Sequence, residues 1–332
     1  MADEKKSISV LIPNYNGRQL LEKHLPYTYA ALENAGVPFE IIVVDDCSTD
    51  DSVSFLRRYY PDIRLLENPV NRGFSVTCNR GIAAAQHELL LLLNSDIQLT
   101  GDYFANQWPC FMHENTFGVA GQIIDATTGA TGNAGRLLKK YRYRINTKRF
   151  FKTTTPGKPV PTVQLSGANA LVRTDRIRLL GGFDEIFSPF YSEDTDLSLR
   201  AWRMGWTCYY DFGSTCTHLG ASTIKAKHCR QEIKKIYYRN KFILNAIHRR
   251  GVPGTGFSIQ LVCFDVLPKL LAGKTWIWDS FTAYRRYQAA VMDSREHLRE
   301  LMQRQGRQIE LADINRLVLD AIAAEGHTIV RL

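Results

Sequence analysis

The stretch Leu89–Asp96, LLLLLNSD, places five consecutive leucines directly before three polar residues. A short unbroken apolar run of this kind is typical of a parallel strand that is buried on both faces of its sheet. A carboxylate at the end of a buried strand needs a partner, because burying a lone charge is costly. The stretch therefore predicts a central strand that ends at Asp96, which is either a cation ligand or the start of a turn or helix cap.

Strand and helix patterns alternate on the N-terminal side of this stretch. The runs SISVLIP, FEIIVVDD and DIRLLEN predict strands, and residues 17–36, 48–60 and 75–86 predict helices, the second with Ser48 or Thr49 as its N-cap. This order indicates an α/β fold with a mostly parallel, Rossmann-like sheet and helices on both faces. Ligands bind beyond the carboxyl ends of such strands, so the polar ends of LIPNYN, VVDDCSTD and LLNSD are expected to meet in one crevice.

The pattern is less regular in the rest of the chain. IIDATTGATGNAG predicts a loop, and VQLSGANALVR and TCYYDFGSTCTHLG predict strands. A helix is predicted after Ser192 and ends at Gly205. From Lys225 onward the chain is predicted to be helical to its end.

The composition narrows the class of protein. The 332 residues are 45% hydrophobic, which suits a globular protein with a sizeable core. The seven cysteines include no CxxC pair, so zinc ribbons and thioredoxin-like motifs have little support and reduced thiols fit best. The N-terminus has no signal-peptide pattern and no window is apolar enough for a spanning helix, so a cytoplasmic location is expected.

The net charge of +9 is unevenly distributed. Residues 136–158 hold nine Lys or Arg and no acid, and residues 225–250 hold nine against Glu232 alone. The remainder of the chain is therefore acidic. Two basic segments on such a chain indicate a polyanionic partner, namely phosphates, an anionic membrane or nucleic acid, unless they are only solvated faces.

Several acidic residues and one histidine are candidates for chemistry. Asp96 suits Mg²⁺ or Mn²⁺, which bind through one or two carboxylates and share other positions with substrate phosphates. His218 is either a structural hydrogen-bonding residue or a ligand that would favour Mn²⁺. The acids of YSEDTDL either cap a helix or, beside apolar residues that raise a carboxyl pKa, supply a general base. The chain has no GxGxxG after its first strand and no P-loop motif.

Six ordered motifs carry a resemblance to a known family. From about residue 7 to 250 the chain resembles a family 2 glycosyltransferase with the GT-A fold, and its GFDE…EDTDL…GW…H.G.S portion resembles the rhamnosyltransferase-like, cell-surface polysaccharide branch. The motifs are SVLIPNYNG, IIVVDDCSTDDS, NRGFSVTCNRGI, LLLLLNSDIQL, GGFDEIFSPFYSEDTDLSLRAWRMGW and HLGAS.

The resemblance implies an inverting transfer of a sugar from a nucleotide-diphosphate donor to a hydroxyl of a glycan or lipid-linked acceptor. We expect residues 1–224 to form the catalytic domain, with a donor-binding half at about residues 1–125 and an acceptor and catalytic half at about residues 126–224. Residues 225–332 are expected to form a basic, amphipathic helical region. The implied residues are Pro13, Asn16, Asp45 and Asp46 at the nucleoside, Arg72 and Asn79 facing the donor, Asn94, Ser95 and Asp96 as the DxD metal motif, Asp194 as base, Glu193 orienting the acceptor, and His218 as a metal ligand.

The motif departs from the family at Asn94, where the family has its first DxD acid. A neutral amide attracts Mn²⁺ or Mg²⁺ less strongly, so the metal site would depend on Asp96, His218 and the donor phosphates.

Other partners and functions follow from the remaining features. The basic residues 225–250 and the apolar run that follows them predict peripheral attachment to an anionic membrane surface, or a contact between copies of the chain. A sugar-nucleotide nucleotidyltransferase is one alternative, although PNYNGRQLL is a poor version of the Gly-rich loop that it needs. A basic nucleic-acid-binding protein is another, but the acidic crevice argues against a nucleic-acid partner.

Overall fold

A mixed sheet lies at the centre of the computed structural model, which describes residues 5–131, 134–139, 144–147, 149–153, 157–218, 229–251 and 255–331. The strands among these residues are β1 (Ile8–Asn14), β2 (Phe39–Asp45), β3 (Arg64–Glu67), β4 (Leu89–Leu93), β5 (Ile97–Leu99), β6 (Thr116–Asp125), β7 (Gly135–Leu137), β8 (Arg149–Thr153), β9 (Val160–Pro161), β10 (Asn169–Arg173), β11 (Thr207–His218) and β12 (Ile329–Arg331). Nine of them form the main sheet, in the order β3-β2-β1-β4-β10-β6-β11-β5 with β9 paired to β11, and the other three form a second sheet in the order β12-β8-β7.

Helices cover the sheet and form most of the C-terminal region. They are α1 (Arg18–Ala35), α2 (Ser52–Tyr59), α3 (Phe74–Ala84), α4 (Trp108–Met112), α5 (Thr174–Leu179), α6 (Glu193–Arg203), α7 (Arg230–His248), α8 (Thr255–Leu261), α9 (Leu267–Leu271), α10 (Trp276–Arg286), α11 (Gln288–Arg304) and α12 (Leu311–Ala324). A 3-10 turn covers Glu185–Phe187, and a π-helical turn, Val262–Val266, joins α8 to α9. The predicted α/β fold with a helical C-terminal region is confirmed.

The five leucines of β4 are all buried because their side chains alternate between two cores. Leu89, Leu91 and Leu93 pack in the cluster that includes α1, whereas Leu90 and Leu92 pack in the cluster that includes the C-terminal helices. A strand covered on both faces has no polar position, which is why the run is unbroken.

The parallel arrangement is confirmed for β3-β2-β1-β4. Further along the sheet, β10 runs antiparallel to both β4 and β6, and β6 pairs in parallel with β11. The carboxyl ends of β1, β2 and β4 therefore lie at one edge, where the next strand reverses direction. Such an edge is where ligands bind in α/β sheets.

The prediction of Ser48 or Thr49 as the N-cap of the second helix is wrong. Helix α2 begins at Ser52 after Asp51. The hydroxyl of Ser48 instead donates to Asp45 Oδ2 at 2.6 Å and accepts from the backbone N–H of Asn16. The Ser48 side chain, which local propensity assigned to a helix cap, therefore forms hydrogen bonds with neighbouring loop residues instead.

Several other segments differ from the predicted elements. Strand β6 continues to Asp125, into the segment predicted as loop, and β7 begins at the last residue of that segment, Gly135. Only Asn169–Arg173 of VQLSGANALVR forms a strand. The C-terminal region ends in β12, which pairs with β8. Short strands of this kind depend on partners that are distant in the chain, so local periodicity does not reveal them. Residues 219–222 of the HLGAS motif lie outside the described residues.

Candidate active site

A cleft of about 660 Å³ lies at the carboxyl ends of β1 and β4. Its walls come from the ends of these strands and of β2, the segment that leads into α3 and the start of that helix, the loop of residues 166–168, and residues 189–194 before and in α6. Ile123, Arg136 and His218 complete the lining. The predicted site residues that line it are Pro13, Asp46, Asn94, Ser95, Asp96, Glu193, Asp194 and His218. Those that do not line it are Asn16, Asp45, Arg72 and Asn79.

Asp45 and Asn16 stabilise the loops behind the cleft. Asp45 is 2% exposed and accepts hydrogen bonds from Asn14 Nδ2 (2.8 Å) and from the N–H (2.8 Å) and hydroxyl of Ser48. Asn16 Oδ1 accepts from the N–H of Thr49 at 2.7 Å. These contacts join the loop after β1 to the loop after β2.

Asp46 connects the end of β2 to the start of α3. Its carboxylate accepts from Asn68 Nδ2 (2.8 Å) and from the N–H groups of Arg72 (2.9 Å) and Gly73 (2.9 Å). Arg72 thus contributes through its backbone, while its side chain is exposed. Asp46 is also the carboxylate of this pair that lines the cleft.

Asn79 lies on the far side of α3. Its amide donates to the carbonyl of Phe183 at 2.8 Å, and its Oδ1 accepts from the N–H of the same residue at 2.8 Å. The nitrogen and the oxygen of this amide therefore both link α3 to the segment before the 3-10 turn.

The turn after β4 presents oxygen atoms to the cleft. The backbone N–H of Asn94 donates to the carbonyl of Ala168 at 3.0 Å, which joins this turn to the opposite wall. The Oδ1 atoms of Asn94 and Asp96 are buried and have no hydrogen-bond partner among the described residues. Asp96 Oδ2 lies 3.0 Å from Nε2 of His218, and this hydrogen bond raises the pKa of His218 against the opposing effect of burial.

Asp96 and His218 are 122 positions apart in the chain and meet because β11 pairs with β5 next to the turn. Across the described part of the chain, no group of three or more His, Cys, Asp or Glu side chains is arranged to hold a metal ion. The unpartnered oxygens of Asp96 and Asn94 are nevertheless of the kind that hard cations bind. A cation here would need its remaining ligands from substrate or water.

The three acids at the start of α6 have different environments. Burial, followed by the negative charge of Asp194, raises the pKa of Glu193 to about 8, and Glu193 Oε2 has no hydrogen-bond partner among the described residues. Asp194 Oδ2 accepts from Gln164 Nε2 at 2.9 Å, and its Oδ1 accepts from the N–H of Thr195 at 2.7 Å. The raised proton affinity that the sequence predicted for this motif therefore falls on Glu193.

Asp196 points away from the cleft into a buried ion cluster. It is 0% exposed and lies 2.7 Å from Arg200 Nε and 2.8 Å from His248 Nε2. Burial alone would raise the pKa of Asp196, but Arg200 and His248 outweigh it and hold the pKa below its usual value. Asp196 thus links the first turn of α6 to His248 in α7.

Sequence reasoning did not identify Gln164 and Arg136 as site residues. Gln164 contacts Asp194 and accepts from Arg136 Nη1 at 3.2 Å, and Arg136 lines the cleft. In the sequence, Gln164 lies in an apparent strand and Arg136 in a basic segment. No local signal distinguishes them, because their contacts are with residues about 30 positions away.

The sequence is similar to that of known glycosyltransferases. It is 24% identical over 306 residues to a protein described as uncharacterized glycosyltransferase YibD of Escherichia coli K12, covering 87% of this chain and 79% of that protein. It is 29% identical over 133 residues to a putative teichuronic acid biosynthesis glycosyltransferase, TuaG of Bacillus subtilis, covering 39% and 52%. It is 27% identical over 161 residues to an undecaprenyl-phosphate 4-deoxy-4-formamido-L-arabinose transferase of Enterobacter, covering 42% and 49%. The chain thus spans only about half the length of the last two.

Two solved GT-A structures share the fold. One is GalNAc-T7 with UDP, GalNAc and Mn²⁺, with a TM-score of 0.62 and 14% identity, covering 97% of this chain and 57% of that chain. The other is the mannosyltransferase PcManGT from Pyrobaculum calidifontis with GDP-Man and Mn²⁺, with a TM-score of 0.52 and 17% identity, covering 97% and 81%. At these identities the likeness concerns the fold alone.

The family model described as glycosyl transferase family 2 matches residues 9–177, just over half of the chain. The match begins in β1 and includes the ends of β2 and β4 that build the cleft. The relatives above do not single out the rhamnosyltransferase-like branch, which stays a prediction. The chain belongs to glycosyl transferase family 2 and is a glycosyltransferase with the GT-A fold.

Proposed function

We propose that this glycosyltransferase moves a sugar, with inversion, from a nucleotide-diphosphate sugar to a hydroxyl of a glycan or lipid-linked acceptor in cell-surface polysaccharide synthesis. The observation that carries the proposal is that Asp194 and Asp96 line the same cleft from opposite halves of the chain. A base and a diphosphate-binding group must both reach one reacting centre in such a transfer. The descriptions of two relatives support the acceptor class, since TuaG is described as a putative teichuronic acid biosynthesis glycosyltransferase and the Enterobacter protein as an undecaprenyl-phosphate arabinose-derivative transferase.

Asp194 is the proposed general base. Gln164 and Thr195 orient its carboxylate: Oδ1 accepts from the N–H and the hydroxyl of Thr195, whereas Oδ2 accepts from Gln164 and keeps a further lone pair for the hydroxyl of an acceptor. Asp194 would take the proton of that hydroxyl as its oxygen attacks the anomeric carbon from the face opposite the nucleotide. Glu193, which carries a proton near neutral pH, would donate a hydrogen bond beside it and orient the acceptor.

The proposed donor site lies along the β1, β2 and β4 ends. Pro13 and Asp46 line the cleft where a nucleoside would bind, and Asn94 and Ser95 line it towards the diphosphate. We assign supporting roles to Asp45, Asn16, Arg72 and Asn79, because their described contacts stabilise the surrounding loops.

The residues present fit a divalent cation, Mn²⁺ or Mg²⁺. Asp96 would hold it through the unpartnered Oδ1, and His218 would be a second ligand that favours Mn²⁺. When bound, the cation would neutralise charge on the diphosphate as a Lewis acid. Both GT-A structures named above contain Mn²⁺, which supports this assignment.

The substitution Asp194→Asn tests the base. We expect turnover to fall by roughly 10²–10⁴, the usual contribution of a general base, while donor binding measured by thermal shift is unchanged. Asp293→Asn is the control, since Asp293 is an exposed aspartate in α11 that does not line the cleft. Near-normal turnover in Asp194→Asn would remove the base assignment.

We further propose that the C-terminal helices attach the enzyme to an anionic membrane surface on the cytoplasmic side. Among the described helices, none combines the length and the apolar character that a bilayer crossing requires. However, α8, the π-helical turn and α9 expose apolar side chains at four-residue intervals, which places them on one helical face. These residues are Ile259, Cys263, Leu267 and Leu271, with Phe264 beside them and Trp278 on α10.

The charge around this apolar stripe supports a membrane partner. Lys274 is exposed three residues after Leu271, and the exposed Arg285 donates to Ser258 Oγ, beside Ile259, at 2.9 Å. Each basic residue near an anionic leaflet contributes about 1 kcal/mol to binding. Trp and Phe beside Lys and Arg are typical of a segment that lies in the membrane interface.

Flotation with liposomes tests the membrane proposal. We expect the protein to float with anionic vesicles at low salt, to be released by high salt, and to sediment after Phe264→Ser and Leu271→Ser together. Tyr59→Ser is the control, because Tyr59 is 57% exposed and lies outside the stripe. Failure to float with either vesicle type would reject the proposal, and a change in oligomeric state in the double variant would assign the stripe to a contact between copies.

A further inference from the structure

The loop before α6 has an unusual backbone. Pro189, Phe190 and Tyr191 of this loop line the cleft, and Tyr191 and Ser192 have φ angles of 76° and 79°. Residues other than glycine rarely adopt this left-handed conformation, which costs about 1–2 kcal/mol per residue. Because Ser192 directly precedes Glu193 and Asp194, this turn determines where both carboxylates point.

One buried side chain of α7 contacts the carbonyls of this loop. Asn240 is 0% exposed, and its Nδ2 lies 2.6 Å from the carbonyl oxygen of Phe187, 2.9 Å from that of Phe190 and 2.9 Å from that of Tyr191. Asn240 Oδ1 accepts from Arg239 Nε at 2.8 Å. The two hydrogens of this buried amide nitrogen are therefore shared among three carbonyls of a partly buried loop.

The neighbouring Arg239 extends this contact. Its guanidinium donates to the carbonyl of Ser188. Together, Arg239 and Asn240 bind the carbonyls of four of the five residues from 187 to 191. The contacts of α7 thus oppose relaxation of the turn to an ordinary backbone conformation.

The other side of the loop packs against the start of α3. The N–H of Phe74 donates to the carbonyl of Pro189 at 3.1 Å, and a Cβ on Gly73 would lie 2.9 Å from the Cα of Pro189. Gly73 also donates to Asp46 at the donor end of the cleft. The loop is therefore in contact with both helices: among the described residues, α3 gives it a backbone N–H, whereas α7 gives it side-chain amide and guanidinium donors.

We propose that Asn240 is a positioning residue that sets the catalytic carboxylates by stabilising the left-handed turn at Tyr191 and Ser192. The inference rests on the proposed role of Asp194 as base. Helix α7, which the sequence predicted only as part of a basic, amphipathic region, would thus have a role in turnover. A displacement of about 1 Å in a catalytic group can reduce the rate 10²-fold, so loss of this support is expected to act on turnover.

The first experiment compares Asn240→Ala with Asn245→Ala. Asn245 is also buried in α7, but its Oδ1 accepts from the N–H of Ile145 at 2.6 Å and its amide donates to the carbonyl of Lys241. We expect Asn240→Ala to lower kcat about 10- to 100-fold with donor KM changed less than about threefold. Asn245→Ala is expected to lower stability but to keep both constants.

The second experiment tests whether the effect runs through the turn. Glycine adopts left-handed φ without a steric cost, so Ser192→Gly in the Asn240→Ala background is expected to restore part of kcat. Hydrogen exchange of peptides covering residues 187–196 should be faster in Asn240→Ala and unchanged there in Asn245→Ala. If Asn240→Ala does not fold, Arg239→Ala removes the Ser188 contact at a partly exposed position, and a smaller fall in kcat is expected.

The outcomes separate this inference from the proposed function. Wild-type kcat in Asn240→Ala, or in Arg239→Ala if only that variant folds, would overturn it. A loss of kcat in Asn240→Ala that Ser192→Gly does not relieve would also overturn it, because Asn240 would then act by another route. If Asp194→Asn is fully active, the proposed base fails first, whereas an inactive Asp194→Asn with a fully active Asn240→Ala rejects the positioning role alone.

Discussion

Replacing Glu193 with glutamine should remove a pH-dependent loss of stability. Burial and the charge of Asp194 raise the pKa of Glu193 from 4.5 to about 8. Between these pH values the unfolded chain releases the Glu193 proton and the folded protein keeps it, so the free energy of unfolding falls as pH rises. Glutamine resembles the protonated side chain and does not titrate, so this part of the pH dependence disappears in Glu193→Gln.

The size of the effect follows from the pKa change. At about 1.4 kcal/mol per pH unit, a rise from 4.5 to about 8 has a ceiling of about 5 kcal/mol. Glu193 faces an open cleft, where water stabilises the charged form in part. We therefore expect Glu193→Gln to exceed the wild type in free energy of unfolding by about 1–3 kcal/mol at pH 8 and by little at pH 5.

Urea unfolding at pH 5, 6, 7 and 8 measures this difference. Glu33→Gln is the control, because Glu33 is an exposed glutamate in α1, and its pH profile should follow the wild type. Asp194→Asn removes the second cause of the raised pKa and should reduce the pH dependence without abolishing it. Parallel profiles for the wild type and Glu193→Gln would refute the reasoning, since Glu193 would then have the same proton affinity in both states.

Two further substitutions test the metal site and the buried ion cluster. Asp96→Ala is expected to weaken Mn²⁺ binding and donor binding together, and His218→Ala is expected to have a smaller effect. Calorimetric titration of the donor in the presence of Mn²⁺ measures both variants. Unchanged donor affinity in Asp96→Ala would show that this carboxylate has only a structural role. Asp196→Asn leaves the buried guanidinium of Arg200 without its charged partner and should lower the free energy of unfolding by about 3–5 kcal/mol. Chemical denaturation measures that loss, and a value near that of Asp293→Asn would contradict it.

The sequence by itself determined the class of fold and the edge of the sheet where the site lies. The unbroken leucines of β4 predicted a strand covered on both faces, and the alternation of strands and helices predicted a mostly parallel sheet, as found for β3-β2-β1-β4. Parallel strands have their carboxyl ends at one edge of the sheet, where ligands bind. The polar residues that follow these strands, Asp46 and Asp96 among them, were therefore expected in one crevice, and both line the cleft.

Only the tertiary structure decided which polar side chains face that cleft and which ones support it. Asp45 and Asp46 are adjacent in the sequence, yet Asp45 binds Asn14 and Ser48 behind the cleft and Asp46 lines it. Glu193 and Asp196 belong to one acidic motif, yet Asp196 pairs with a histidine 52 positions away in α7.

The physical reason is that periodicity reports how deeply a residue is buried, whereas pairing depends on register and on contacts between distant segments. His218 meets Asp96 only because β11 pairs with β5. Asn240 reaches the loop at Tyr191 only because α7 packs beside it. A buried polar group must find a partner in three dimensions, and the identity of that partner is a property of the assembled fold.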